Sequence, residues 1–305
     1  MTDRSTALPS LATARTAQGS TSLGNTRRAW RRFARNRLAL GAFWVILAMC
    51  LIALAAPLIS SQITGYDPNK QRIIDNFAPV SGDHWLGTDE YGRDVLTRLV
   101  YGARVSLGVA ALATLVTVVA GSLVGATAAY YGRWVDQALM RFVDVLMSIP
   151  TLSILLLIGS LITVSPIELA IMIALTGWFA LARLVRSEVL SVRRRDYVDA
   201  ARVLGASNSL IIRRHIMPNV MHLVIVYATT AVAGFILTEA ALSYLGLGVQ
   251  APTASWGTML NNSTQYLYKS PGLLLYPGIA ITITVLAVSI AGNGLRDALD
   301  PRQQR

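Results

Sequence analysis

Residues 105–130 read VSLGVAALATLVTVVAGSLVGATAAY, an apolar run without a single charged side chain. A helix needs about 20 such residues to cross the hydrocarbon of a bilayer, so this stretch is long enough to span. Within it Ala113, Thr117, Gly121, Gly125 and Ala129 recur every four residues. That spacing puts them on one helix face as a seam of small side chains, which lets two helices approach closely. Thr230, Gly234 and Thr238 repeat the pattern further along the chain. Tight packing within the chain is expected of both.

Comparable runs occupy 38–59, 135–160, 167–185, 220–245 and 273–295, which makes six predicted spans and an all-α membrane protein. Composition agrees. Of the 305 residues 53% are hydrophobic and only 14% charged, with a mean hydropathy of +0.50, against about 25% charged residues in soluble domains. The net charge of +11 does not point to nucleic acid, because the arginines flank the apolar runs and no basic face interleaves with aromatics. The single cysteine, Cys50, excludes an internal disulfide and a cysteine-built metal site.

The first run follows a polar stretch that ends in Arg27, Arg28, Arg31, Arg32, Arg35 and Arg37. It exceeds the about 7–15 apolar residues of a cleaved signal, so an uncleaved first helix is expected. With the N-terminus inside, most of the 27 basic residues fall on cytoplasmic segments, as the positive-inside rule requires. Both termini are then cytoplasmic. The expected division is a tail over 1–37, a first span over 38–60, an extracytoplasmic segment over 61–104, a core over 105–297 containing a long inner loop at 186–218, and a tail over 298–305. Asp94 can cap a short helix whose Val95, Leu96, Leu99 and Val100 suit the membrane interface.

The inner loop reads DYVDAARVLGASNSLIIRRHIMPN from Asp196. Tyr197, Ala200, Ala201 and Leu204 fall at i, i+3, i+4 and i+7, on one face of a short helix, with Asp199 and Arg202 elsewhere. Gly205 supplies a left-handed stop, and Pro218 stands where the fifth span can begin. The helix offers its face either to a protein partner or to anionic lipid.

Several chemistries are absent or weakly signalled. No G-x-x-x-x-G-K phosphate loop occurs, so energy must come from another chain or an ion gradient. Gly205-Ala206-Ser207-Asn208 with His215 is a faint match to an intramembrane serine protease, but Ser207 lies in an arginine-rich loop. His84, His215 and His222 share no metal-ligand spacing. Asp144 and Glu239 are the carboxylates inside spans and hence candidates for ion coupling. Arg141, three residues before Asp144, is its expected partner. Glu239, with Ser243 one turn on, either lines a pathway or bonds a neighbouring helix.

Asp199-Ala200-Ala201, then Gly205, then His215-Ile216-Met217-Pro218 resemble the EAA loop of bacterial ABC importer permeases, with Asp199 for the usual Glu and Met217 for the usual Leu. Further matches to the DppC/OppC subfamily of dipeptide and oligopeptide permeases are Gly87-Thr88-Asp89-Glu90-Tyr91-Gly92-Arg93-Asp94, Tyr101-Gly102-Ala103-Arg104, the run from Glu239 to Gly248, Ser255-Trp256-Gly257, and the run from Gly294 to Pro301. The resemblance implies a type I importer (MetI-like) permease fold in the bacterial inner membrane. It implies a DppB/OppB-like second permease, two DppD/DppF-like ATPases that carry ATP and Mg, a substrate-binding protein and peptide cargo. Tyr197, Asp199, Ala200, Ala201, Leu204, Gly205 and Pro218 would then couple this chain to the ATPases, and the chain itself would hold no cofactor and catalyse nothing.

Overall fold

The structure, a computed structural model, describes residues 30–261 and 263–299. Most of the tail expected over 1–37, and all but two residues of that over 298–305, lie outside the described residues. Among the described residues every regular element is helical. The main helices are α1 (Arg37–Leu54), α2 (Val95–Tyr131), α3 (Arg133–Met147), α4 (Thr151–Leu161), α5 (Pro166–Val192), α6 (Asp196–Val203), α7 (Met217–Tyr244), α8 (Trp256–Leu260) and α9 (Gly272–Leu299). Five helical runs are long and apolar enough to cross a membrane: α1, α2, α5, the run Asn208–Tyr244 that contains α7, and α9. The pair α3 and α4 passes the same test jointly but is bent by 74°.

The helix starts follow from side chains that satisfy free backbone N–H groups. Asn36 Oδ1 accepts from Ala39 N at 3.2 Å to open α1, and Asp94 Oδ2 accepts from Thr97 N at 2.8 Å to open α2. Ser165 and Glu168 form a reciprocal capping box at α5, with Pro166 in the first turn. Pro218 sits in the first turn of α7, where its missing N–H costs nothing.

Four expectations need correction. The helix capped by Asp94 is not a separate interfacial piece: α2 runs from Val95 without a break, so the core begins ten residues before 105. Arg98 is accommodated inside protein, donating to Pro68 O at 2.8 Å and lying 3.4 Å from Asp89. The third span is not one rod. Pro150 lacks an N–H and disfavours helical backbone at the residue before it, and the chain turns there between α3 and α4. The fourth span continues to Val192, past 185, so the inner loop is shorter than 186–218. Finally, the stripe of Thr230, Gly234 and Thr238 is not packed within the chain: Thr230 and Gly234 are exposed, and a Cβ at Gly234 would meet nothing within 4 Å.

The first seam does pack. Ala113, Thr117, Gly121, Gly125 and Ala129 are all buried, and α2 with α5 forms the most extensive helix pair. A Cβ at Gly121 would stand 2.9 Å from Leu181 Cβ and 3.0 Å from Trp178 O, and one at Gly125 would overlap Ala182 O and meet Val185 Cβ at 2.9 Å. Backbone oxygens cannot swing aside as a flexible side chain would. Gly121→Leu or Gly125→Leu is therefore expected to cost about 1–3 kcal/mol through overpacking. The loss should be visible as lower yield and thermal stability of the purified protein; unchanged values would count against the seam.

Candidate functional site

The inner loop folds as the sequence pattern suggests, but its helix is turned differently from expectation. In α6 the residues facing the protein are Val198, fully buried, and Ala201, at 9% exposure. Tyr197, Asp199 and Ala200 face outward, and Asp199 Oδ1 accepts from Arg202 at 2.7 Å across the exposed side. At the end of the helix Val203 and Leu204 are 88% and 86% exposed. Gly205 follows with φ +79°, the left-handed conformation that ends a helix. Ala201 thus belongs to the anchoring side rather than the presented one. Val203, which the i, i+3, i+4, i+7 reading passed over, belongs with Leu204.

The anchor is a continuous apolar cluster. Val198 and Ala201 pack with Val185, Val189 and Val192 of α5, with Ala126, Ala129 and Tyr130 of α2, and with Ile211, Ile216, Val220 and Val224 leading into α7. Polar bonds fix the same junction. Tyr130 Oη donates to Asn208 Oδ1 at 2.7 Å. Arg193 Nη1 donates to the carbonyls of Ala129 and Tyr130 at 2.7 and 2.9 Å, placing a cation on the C-terminal carbonyls of α2. Ser207 accepts from Leu210 N at 3.3 Å, the ordinary work of an N-cap. Pro218 is exposed at the foot of α7. The site is therefore a short helix joined firmly to three spans, with two large apolar side chains left uncovered and a tyrosine ring partly exposed beside His215.

Asp144 and Glu239, the two carboxylates singled out in the sequence, have partners that sequence distance concealed. Asp144 pairs with Arg183 of α5, not with Arg141 on its own helix. Glu239 has no measurable exposure; its Oε2 accepts from Ser106 Oγ at 2.7 Å and its Oε1 from Ser243 Oγ at 2.8 Å. Glu239 and Ser243 therefore join α7 to α2 rather than facing an open passage.

The segment between α1 and α2 holds a second polar knot. Asp89 accepts from the backbone N–H of Tyr91 and Arg93 at 2.9 and 3.0 Å and from Arg93 Nε at 2.7 Å. Burial pushes the neighbouring Glu90 carboxyl above its usual range, and the adjacent Asp89 adds to this against the opposing pull of Arg93 and Arg98. His84 Nδ1 lies 3.0 Å from Asp94 Oδ1. This knot explains why Asp89, Arg93 and Asp94 stand where they do: they hold the approach to α2.

Residues 117–305 match the family model of the binding-protein-dependent transport system inner membrane component, and residues 24–79 match the N-terminal TM domain of oligopeptide transport permease C. The dipeptide transport system permease protein DppC of Bacillus subtilis is 38% identical over 285 residues, 93% of this chain and 88% of the relative. A putative peptide transport system permease protein of Brucella abortus is 42% identical over 274 residues, 89% of this chain and 90% of the relative. A chain from inward-facing conformations of the MetNI methionine ABC transporter has a TM-score of 0.54 at 18% identity, covering 67% of this chain and 97% of that one, which speaks for the fold. With two family models and relatives matched along nearly its whole length, the chain belongs to the binding-protein-dependent transport system inner membrane component family.

Proposed function

We propose that the chain forms one half of the transmembrane pathway of an ATP-driven importer of dipeptides or oligopeptides. Its partners are a DppB/OppB-like second permease, two DppD/DppF-like ATPases and an extracytoplasmic substrate-binding protein. Family membership and the peptide permeases among its relatives support the cargo class. The observation that carries the coupling role is α6, whose Val198 and Ala201 are sunk in the bundle while Val203 and Leu204 stand free and Tyr197 is partly exposed. Isolated apolar side chains of that size on an aqueous loop suit a cleft in another protein.

Counting α3 and α4 as one broken span gives six crossings, so both termini share a side. Arg193, Arg194, Arg195, Arg202, Arg213 and Arg214 flank or lie in α6, and by the positive-inside rule this supports placing that side in the cytoplasm of a bacterial inner membrane. ATP and Mg stay on the ATPases, since this chain has no phosphate loop. Closure of the ATPase pair on ATP moves α6. The Arg193 and Tyr130 bonds pass that movement to α5 and α2, and the continuous run from Asn208 passes it to α7. Reorientation of those helices opens the pathway to one side of the membrane at a time.

A photo-crosslinker placed at Tyr197 or Leu204 in the complete complex tests this reading. Adducts to an ATPase subunit are expected, and a tagged chain should co-purify with two ATPases and a second permease. Adducts to lipid alone, with all subunits present, would sink the coupling assignment.

A further inference from the structure

A charged hollow of about 650 Å³ opens beside α3, lined by Trp134, Asp136, Met140, Arg141, Asp144 and Arg186 among others. That volume lies within the about 300–1,000 Å³ of small-ligand sites. Charged side chains inside a spanning element are costly against lipid, so such a face turns to water or to protein. The face here belongs to α3 of the bent α3–α4 pair.

The charges in and beside it are unequal in kind. Arg186 holds Asp136 with two parallel bonds, Nε to Oδ1 at 2.5 Å and Nη2 to Oδ2 at 2.6 Å, a stiff fork geometry. Asp144 and Arg183 share a single bond, and both side chains are nearly half exposed. Arg141 has no ion-pair or hydrogen-bond partner among the described residues and is exposed. Counting Arg183, which pairs with Asp144 from outside the lining, three guanidinium groups meet two carboxylates, leaving one cation over. Trp134, three-quarters exposed, stands at the rim.

We propose that this hollow is a transit site for the charged ends of a peptide, with Arg141 taking its carboxylate and Asp144 exchanging Arg183 for its ammonium. A zwitterion supplies both charges at once: its carboxylate meets the cation left over, its ammonium meets the loosely paired carboxylate, and Arg183, released to water, becomes the unpaired cation in turn. Asp136 and Arg186 form the fixed floor. The water-exposed Asp144–Arg183 pair reforms when cargo leaves, so the site holds peptide weakly enough to release it. The Trp134 ring offers a flat surface to cargo side chains of varied shape, sequence-tolerant contact of the kind an importer of many peptides needs. This inference rests on the peptide-importer reading.

The test uses the complete importer in liposomes and a dipeptide with free termini that carries a photoactivatable leucine analogue. Light is applied during ATP-driven uptake, and adducts are mapped by mass spectrometry. Adducts on residues 133–147 are expected, with Arg141→Gln lowering their yield about tenfold, as loss of a charge-assisted pair implies. Arg141→Lys should retain most of the yield, and the affinity of the separate binding protein for the dipeptide should not change. Adducts confined to other helices, or equal yield in Arg141→Gln, overturn the site while leaving the importer reading intact. Failure of the unmodified complex to take up the dipeptide with ATP overturns the importer reading, and this site with it.

Discussion

A chain carrying Val203→Asp and Leu204→Asp is expected to reach the membrane in normal amounts and to lose ATP-driven peptide uptake by roughly 100-fold or more. The magnitude takes the two side chains as the hot spots of the interface, which cost about 2 kcal/mol or more each when truncated, at about 1.4 kcal/mol per factor of ten. Burying a carboxylate in an apolar cleft adds a desolvation cost to the lost contact. The folded chain should not suffer, because both side chains are almost fully exposed and neither belongs to the core cluster. The matched control is Val198→Asp, about one and a half turns back in the same segment. Val198 is fully buried against α2, α5 and the start of α7, so a charge there should lower the yield of folded protein before any effect on coupling can be read. Stimulation of ATP hydrolysis by the loaded binding protein separates the two cases further. It should vanish in the double mutant even though the complex can still be isolated with its other permease. Normal uptake by Val203→Asp, Leu204→Asp would mean that α6 presses on lipid and that force enters this chain elsewhere.

How far the sequence disclosed this arrangement depends on the range of the interaction that decides each feature. Spans α1, α2, α5, α7 and α9 were legible because hydropathy summed over about 20 residues reports on the membrane environment itself. The helix at Asp196, its glycine stop and the Asp94 cap were legible because capping chemistry acts within a few residues. The break between α3 and α4 went unread although its signal, Pro150, stands in the sequence: averaging over an apolar window hides a single residue that lacks an N–H. The early start of α2 was hidden for the opposite reason. Arg98 interrupts the apolar pattern, and only its distant partners Asp89 and Pro68 make it tolerable inside the bundle. Orientation of α6 was likewise beyond periodicity, which says that Tyr197, Ala200, Ala201 and Leu204 share a side but not what that side meets. Val198 decides it, by filling a space made by three other helices. Asp144 illustrates the same limit, since a local arginine was available and a distant one holds it.

Glu239→Ala is expected to be the most damaging single substitution within the spans, at about 3–5 kcal/mol when the lost hydrogen bonds and the cavity are combined. The carboxylate sits where α7 meets α2 and the segment that leads to α8. Trp256 N–H donates to Ser106 Oγ at 3.2 Å and Val249 N–H donates to Ser243 Oγ at 3.1 Å. Each hydroxyl, having accepted a backbone proton, passes its own to one oxygen of Glu239. Two buried donors of the connecting segment are thus satisfied through serines that in turn depend on one side chain. Close packing seals the arrangement: a Cβ at Gly257 would lie 2.7 Å from both Ala240 O and Ser243 Cβ, and one at Gly102 would stand 3.0 Å from Trp256 Cδ1. With alanine at 239 both hydroxyls lose their protein acceptor at a fully buried position. Glu239→Gln keeps the volume but turns an amide N–H₂ toward one of the serines, whose hydrogen already points that way, so an intermediate loss of about 1–3 kcal/mol is expected. The double mutant Glu239→Ala, Ser106→Ala should cost less than the sum of its parts, by about 0.5–3 kcal/mol, as contacting partners in one network do. Hydrogen exchange gives the local readout: protection at Val249 and Trp256 should fall in Glu239→Ala while α1 is unaffected. If Glu239→Ala matches the native protein in thermal stability and in exchange at those two amides, the carboxylate is not what fastens this segment to the spans.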